Sequence, residues 1–182
     1  MERPRQIIEC EDFVLRRWEQ SDFAAAFTLI AESRDHLRPW APWAAEHSEE
    51  STRDFLAKSE STWESGDVYN YAIVKDGAPI GMCQTYRVPE PRSRRIGYWL
   101  HPAATGQGIA TRATAAVVTE MFTLPDVDRL EIAHDLANAP SAAIPRRLGF
   151  TEVGSEQATP PAAPAGSGIN VVWRLNRPPG PR

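Results

Sequence analysis

The chain of 182 residues has only two cysteines, no long apolar run and no excess of positive charge. Cys10 and Cys83 match no metal-binding or redox spacing, so we expect ordinary thiols and no metal site. No stretch approaches the roughly 18 apolar residues of a membrane helix, and the N-terminus lacks the apolar core of a signal peptide. A net charge of −4 argues against a broad nucleic-acid-binding surface. These absences predict a soluble, cytoplasmic protein with no membrane, nucleic-acid or metal partner.

The residues that are present predict one α+β domain with a mixed sheet. A length of 182 residues suits a single domain of ordinary size. Asp76-Gly77 lies between two strand-like runs and predicts a β-hairpin, and Gly149 closes a short predicted helix. The predicted order is a strand, two helices, three strands, a helix, a strand, a helix and two strands. Antiparallel hairpins therefore precede a single crossover between parallel strands.

A glycine-rich loop follows the aromatic strand at 96–100 and leads directly into an alanine-rich helix. Gly106 and Gly108 let the backbone approach a ligand and expose successive N–H groups. The helix N-terminus adds further N–H donors and a partial positive charge. The loop therefore predicts a site for a phosphate or pyrophosphate.

The loop does not match a nucleoside-triphosphate site, because it ends Gly108-Ile109-Ala110 without the lysine of a P-loop. A dinucleotide fingerprint requires Gly or Ala where Thr111 stands, although Glu131 lies at a suitable distance beyond it. A turn that merely caps the helix is the remaining alternative. On the loop alone, these last two interpretations stay open.

Taken together, the motifs resemble the GCN5-related N-acetyltransferase (GNAT) superfamily, and within it the RimJ/RimL-like group. The resemblance rests on the order of elements and on joint spacing rather than on any one motif, and it covers roughly residues 10–175. It implies a single acetyltransferase domain at 1–176, with a disordered tail at 177–182. The segments that carry it are Ile96–Leu100, His101-Pro102, Gly106–Ala110, Asn138-x-x-Ser141, Arg146–Phe150 and the tryptophan-containing segment Arg38–Trp43.

The resemblance implies acetyl-CoA as co-substrate. The CoA pyrophosphate would rest on backbone N–H groups of the glycine loop, and the pantetheine arm would pair like an added strand where two strands splay apart. The implied cofactor-binding residues are Trp99, Leu100, His101, Thr105, Gly106, Gln107, Gly108, Ile109, Ala110, Thr111 and Asn138.

Three positions depart from the family pattern. Thr105 stands where Gln or Arg usually opens the loop. Arg95 stands where relatives often carry a glutamate, and Ile144 and Pro145 occupy the neighbourhood of the usual tyrosine acid. By resemblance to the RimL-like group, Ser141 would protonate the departing thiolate instead. These departures leave the general base unassigned.

Asn138 and Ser141 are spaced to point to the same side of a helix start. The resemblance gives Asn138 a contact with CoA, whereas the simpler alternative is that either residue only caps the helix. His134 is a candidate for proton relay, although a lone strand histidine is more often structural. Glu131 alternates to the opposite face of the strand, so we do not expect it to act together with His134.

Trp40 and Trp43 are candidates for an aromatic wall that binds the acceptor, with core or interface packing as the alternative. Arg92, Arg94 and Arg95 lie near the start of a strand and are expected to be a solvated charge run, or else to attract an acidic acceptor. An α-amine needs only about 1 kcal/mol to be neutral at pH 7, whereas a lysine needs roughly 4.6 kcal/mol. A site without an evident strong base therefore favours a weakly basic amine.

We therefore predict an acetyl-CoA-dependent N-acetyltransferase that acts by direct transfer in a ternary complex. The acceptor would be a primary amine, either a protein N-terminal α-amine or a small-molecule amine. The alternatives are a non-catalytic acyl-CoA-binding module and an acyltransferase that uses a larger donor such as succinyl-CoA. Dimers are common among RimL-like relatives, so a homodimer is a further expectation.

Overall fold

The structure is a computed structural model that describes residues 2–179. Of the predicted tail at 177–182, residues 180–182 lie outside the described residues. Within the described part, Arg177 Nε donates to the carbonyl oxygen of Val127 at 3.0 Å. The elements are β1 (Ile7–Glu9), β2 (Val14–Arg17), α1 (Phe23–Leu37), α2 (Glu49–Ser65), β3 (Val68–Lys75), β4 (Ala78–Arg87), β5 (Ser93–Leu100), α3 (Ile109–Met121), β6 (Arg129–Asp135), α4 (Ala139–Arg147), β7 (Thr151–Gln157) and β8 (Ile169–Asn176).

The eight strands of the described region form one sheet in the order β1-β2-β3-β4-β5-β6-β8-β7. β5 and β6 are parallel, and every other neighbouring pair is antiparallel. α3 supplies the long crossover that parallel strands need. This order confirms the predicted α+β fold, with β1 as a short strand that the sequence pattern did not reveal.

The parallel ladder between β5 and β6 is short. Among the described residues it joins Ser93–Ile96 to Arg129–Ile132 and then stops. Beyond it, Gly97–Leu100 still pair with β4, and Ala133–Asp135 still pair with β8. The two strands therefore separate toward their carboxyl ends, which confirms the predicted splayed pair.

The two faces of β4 and β5 pack into different cores. Successive residues of a strand point to opposite faces. Cys83 and Ile96 accordingly belong to the larger core with α3, whereas Trp99 packs against the smaller core formed with α1 and α2. Each fully buried aliphatic or aromatic side chain contributes roughly 1.5–3 kcal/mol. The gap between β5 and β6 thus lies in a sheet that is held firmly from both sides.

The ends of α2 are set by the local sequence. The Ser48 and Ser51 side chains accept hydrogen bonds from each other's backbone N–H groups at 3.1 and 2.9 Å, which is a capping box. The helix ends at Gly66, whose φ of 79° favours glycine. The cap fixes the backbone directly after His47, which is the last residue of the connection between α1 and α2. No helix within residues 2–179 has the length and hydropathy that crossing a membrane requires.

The prediction of a solvated arginine run near the start of β5 is wrong for Arg94. This side chain is 1% exposed, and its guanidinium donates to the carbonyl oxygens of Gly66 and Asp67 at 2.9 and 3.0 Å. Burial lowers the pKa of Arg94 to about 10, which still leaves it charged at neutral pH. Arg92 is exposed and pairs with Asp128, as expected. Arg94 therefore fastens the turn between α2 and β3 to the sheet.

Replacing Arg94 with Met should lower the free energy of unfolding by about 2–4 kcal/mol, because Gly66, Asp67 and Thr85 each lose a charged hydrogen-bond donor. Arg92→Met is the matched control and should stay near the wild-type value, since its ion pair is solvent-exposed. Urea unfolding followed by circular dichroism measures both. Equal effects of the two substitutions would contradict a structural role specific to Arg94.

Candidate active site

The glycine-rich loop lies between β5 and α3. Gly106 and Gly108 have φ values of 75° and 71°, which favour glycine, and Gly108 is the N-cap of α3. The first N–H groups of a helix have no intrahelical partner, and no acidic residue lies in the first turn of α3. The loop thus presents backbone donors and the positive end of a helix to the same space, which is the arrangement of an anion site.

Polar side chains of the loop form hydrogen bonds with the short turn that precedes it. Thr105 Oγ1 donates to the Pro102 carbonyl oxygen at 2.7 Å, and Gln107 Nε2 donates to that of Ala103 at 3.0 Å. The Nδ1 atom of His101 accepts from the Ala103 N–H at 3.1 Å. These bonds fix the shape of the loop while leaving its own N–H groups for a ligand. Thr105 therefore braces the loop.

The edge of β5 leads from this loop into the gap between the strands. Trp99 and Leu100 lie in the part of β5 that no longer pairs with β6. His101 N donates to the Ile80 carbonyl oxygen at 2.8 Å, which keeps this edge attached to β4. The predicted pantetheine contacts thus share one strand edge whose outer backbone groups face the gap.

The start of α4 closes the other side of the gap. Asn138 is the N-cap of α4, but its side chain makes no capping hydrogen bond. The Tyr98 hydroxyl donates to the Ser141 carbonyl oxygen at 3.2 Å and lies 3.4 Å from Ser141 Oγ. The side-chain partner of Ser141 is therefore Tyr98, not the helix terminus, so the capping alternative is not what the geometry shows.

Tyr98 is a candidate that the sequence analysis did not single out. Burial raises the pKa of Tyr98 to about 12, against a smaller opposite effect of its hydrogen bond with Ser141. The phenol is therefore protonated at neutral pH and can hold Ser141 in place. The sequence did contain a signal for Tyr98. It lies two residues before Leu100 and therefore on the same face of β5, which is the face that borders the larger core.

His134 has both ring nitrogens engaged. Its Nδ1 lies 2.9 Å from the Asp135 carbonyl oxygen, and its Nε2 accepts from Trp173 Nε1 at 3.0 Å. The carbonyl requires a proton on Nδ1, and the indole N–H requires a lone pair on Nε2. Both nitrogens of the neutral ring are thus occupied, one by the Trp173 indole N–H and the other by the Asp135 carbonyl oxygen. Its hydrogen bonds favour the structural interpretation over proton relay.

Glu131 is held by two arginines on the opposite face of the strand from His134. Arg95 and Arg174 approach its carboxylate at 3.1 and 2.7 Å, and Glu131 is 2% exposed. Burial opposes its charge, but the hydrogen bonds from Arg174 and Arg95 outweigh that effect and lower the pKa of Glu131. A carboxylate held in this way is a poor proton acceptor. Arg95 therefore belongs to a buried ionic cluster.

A cleft of about 390 Å³ opens on the face of the sheet covered by α1 and α2. Trp43 lies at its edge, 46% exposed, with its ring centroid 5.9 Å from that of Trp99. Trp40 lies outside the cleft, so the structure separates the two predicted tryptophans. The residues lining it are Trp18, Ile30, Trp43, Glu46, His47, Ser51, Thr52, Phe55, Met82, Gln84 and Trp99.

The cleft reaches the point at which the parallel ladder ends. Gln84 pairs with Gly97, the first residue of β5 beyond that ladder. A Cβ at Gly97 would lie 3.2 Å from Gln84 Nε2, so the glycine keeps this approach open. Gln84 and His47 line the cleft without having been predicted, because only folding brings these segments together.

A candidate anion site, an unpaired strand edge and a separate cleft thus lie along β5 and the loop that follows it. An arrangement of this kind suits a group-transfer domain. Residues 12–151 match the Acetyltransferase (GNAT) domain model. The chain belongs to this family and is an N-acetyltransferase.

Relatives span most of the chain. The ribosomal-protein-serine acetyltransferase of Escherichia coli strain K12 is 27% identical over 126 residues, which is 68% of this chain and 70% of that protein. Mycobacterium smegmatis RimJ, solved with a CoA disulfide, is 25% identical with a TM-score of 0.83 and covers 95% of this chain and 88% of its own. A RimL structure described as a ribosomal L7/L12 alpha-N-protein acetyltransferase in complex with coenzyme A has a TM-score of 0.85 at 24% identity, covering 93% and 97%, and shows likeness of fold.

Replacing His134 tests its role directly. His134→Gln retains an acceptor for the Trp173 N–H, so acetyl transfer should stay within about threefold of wild type, the effect of a small shift in position. His134→Leu should destabilise the fold by about 1–3 kcal/mol, because the indole N–H loses its partner. Thermal unfolding and a thiol-release assay give the two readouts. A loss of about 100-fold in the folded Gln variant would instead indicate proton relay.

Proposed function

We propose that the protein transfers an acetyl group from acetyl-CoA directly to a primary amine, with both substrates bound at once. The observation that carries this proposal is the unpaired edge at Gly97–Leu100, which connects the glycine loop to the inner end of the cleft. An extended donor lying on that edge would present its thioester to an amine arriving through the cleft. No covalent acyl-enzyme is needed.

In this proposal the CoA pyrophosphate binds the backbone N–H groups of Gly106–Thr111. Thr105 and His101 shape the loop through their bonds to the preceding turn. The pantetheine arm pairs with the backbone of Trp99 and Leu100, and the Asn138 side chain, which is not used as a cap, faces the donor. Charge-assisted bonds of this kind contribute roughly 1.5–3 kcal/mol each, so the loop supplies most of the affinity.

We assign Ser141 as the acid that protonates the departing CoA thiolate. The Tyr98 hydroxyl donates to the Ser141 carbonyl oxygen and also lies 3.4 Å from Ser141 Oγ, so its oxygen can accept the Ser141 hydroxyl proton until a departing thiolate takes it. Tyr98 would act as a positioning residue. Asn138 would serve CoA binding, and His134 would hold Trp173, not carry protons.

We assign the cleft to the acceptor. Trp43 and Trp99 offer aromatic faces, and Glu46 adds a carboxylate, a combination that attracts an ammonium group by about 0.5–2 kcal/mol per aromatic contact. The name of the Escherichia coli relative, a ribosomal-protein-serine acetyltransferase, supports a protein acceptor over a small amine. A ribosomal acceptor would place the reaction in the cytoplasm.

Gly108→Ala should weaken CoA binding by about 5–30-fold, because a left-handed backbone costs a Cβ-bearing residue roughly 1–2 kcal/mol and the loop must shift to relieve it. The control is Gly77→Ala in the β3–β4 turn. Gly77 has the same kind of φ, 79°, and like Gly108 it has open space around an added Cβ. Calorimetry of CoA binding should separate the two variants, and equal affinities would contradict the assignment of the loop.

The function itself is tested by thiol release from acetyl-CoA and from succinyl-CoA. The acceptors should include peptides with free N-termini, the same peptides with blocked N-termini, single amino acids and polyamines. We expect release that depends on acetyl-CoA and a free N-terminus. Tight CoA binding without release would favour a non-catalytic module, and preference for succinyl-CoA would favour a larger donor.

With the best acceptor, Ser141→Ala should lower kcat by about 10²–10³-fold, the usual contribution of a positioned acid. CoA affinity should change little, because the anion site is untouched. Ser141→Thr retains the hydroxyl and is the matched control. Unchanged kcat in Ser141→Ala would contradict the assignment of the acid.

A further inference from the structure

His47 occupies a place in the cleft that none of the assigned roles explains. It follows the short turn Pro42–Glu46 and directly precedes the N-cap of α2, and both neighbours fix its backbone. Its ring packs against Phe27 with a centroid distance of 4.7 Å and an interplanar angle of 36°. His47 is therefore held rigidly where the acceptor would arrive, although it is only partly buried.

One hydrogen bond defines which nitrogen of His47 carries the proton. Nε2 lies 3.1 Å from the Phe27 carbonyl oxygen. A carbonyl oxygen only accepts, so Nε2 must carry a hydrogen. In the neutral ring the lone pair then resides on Nδ1. This is the logic by which a fixed acceptor on one ring nitrogen prepares the other nitrogen as a base.

The other three histidines offer no equivalent group. His134 uses both nitrogens, for Trp173 and for the Asp135 carbonyl. His101 accepts from a backbone N–H on Nδ1 and faces Glu32 at 3.4 Å with Nε2. His36 is exposed on α1. Within the described residues, His47 is the histidine that lines the cleft.

The charges around the cleft suit this role. Besides His47, Glu46 is the ionisable group among the lining residues, while α1, α2, β4 and β5 contribute aliphatic, aromatic, hydroxyl and amide side chains. Glu131, the nearest alternative carboxylate on β6, is already tied to Arg95 and Arg174. His47 is itself one of the residues that line the cleft, so an amine bound there would lie beside the imidazole ring.

We propose that His47 is the general base of the reaction and that Nδ1 takes the proton lost by the acceptor amine. This inference rests on the proposed function. Nδ1 first takes the proton that makes the acceptor an ammonium group and later releases it to solvent. As the nitrogen–carbon bond then forms and the carbon–sulfur bond breaks, the thiolate takes a proton from Ser141, and the serine oxygen recovers the second proton that the acceptor nitrogen loses, so protons balance. With His47 as the base, catalysis does not require a glutamate at the position of Arg95, where relatives often carry one.

The test compares pH profiles of kcat/KM for wild type, His47→Gln and His36→Gln with a peptide acceptor. Glutamine can keep the donor bond to the Phe27 carbonyl but cannot take a proton. We expect His47→Gln to lose about 10²–10³-fold in kcat/KM near neutral pH, with a smaller loss at high pH where the amine is already deprotonated. His36→Gln should match wild type.

A second readout separates a base from a merely structural residue. A weakly basic acceptor such as a hydrazide arrives neutral, so His47→Gln should slow its acetylation much less than that of the peptide. Equal losses for both acceptors at every pH, or activity within about threefold of wild type, would overturn the role of His47. Absence of turnover by wild type with any acceptor would instead overturn the proposed function, and the role of His47 with it.

Discussion

The parallel pairing of β5 with β6 ends at Ile96 and Ile132, and the arrangement of the site depends on this interruption. Each strand keeps its outer partner, β4 or β8, so the gap cannot close without breaking an antiparallel ladder. Backbone N–H and C=O groups along the gap need partners, and leaving them unpaired in a dry environment is costly. A ligand that pairs like a strand would supply the missing hydrogen-bond partners.

The alternation of side chains along β5 divides the work between the two faces of the sheet. Tyr98 points toward the larger core and meets Ser141 from α4, whereas Trp99 points toward the cleft and meets Trp43. The donor side and the acceptor side are therefore separated by the thickness of one strand. Gly97 leaves room between the two sides, because a Cβ there would lie within 3.2 Å of Gln84 Nε2. This geometry supports the proposed direct transfer between two bound substrates.

The features that the sequence predicted well are local. Gly106 and Gly108 precede a helix, and Asp76-Gly77 forms the turn between β3 and β4, so each pattern is complete within a few residues. The family resemblance extended these local signals to the fold, including the splay of β5 and β6.

The features that it missed depend on contacts between distant segments. Arg94 resembled a surface charge, but its guanidinium serves carbonyls 27 and 28 residues away. Trp40 and Trp43 looked equivalent, yet only the path of the α1–α2 connection decides which one faces the cleft. The tautomer of His47 is set by a carbonyl 20 residues earlier, on α1. No spacing rule could have supplied these contacts.

In the proposed function, the splayed edge of β5 and the glycine loop together receive the CoA donor. Hydrogen exchange with and without CoA tests it most directly, since backbone amides slow their exchange when they gain partners. Residues 97–100 and 106–111 should become protected, while Arg129–Ile132, already paired in the ladder, should change little. Saturating CoA that binds without protecting these two segments would contradict the account.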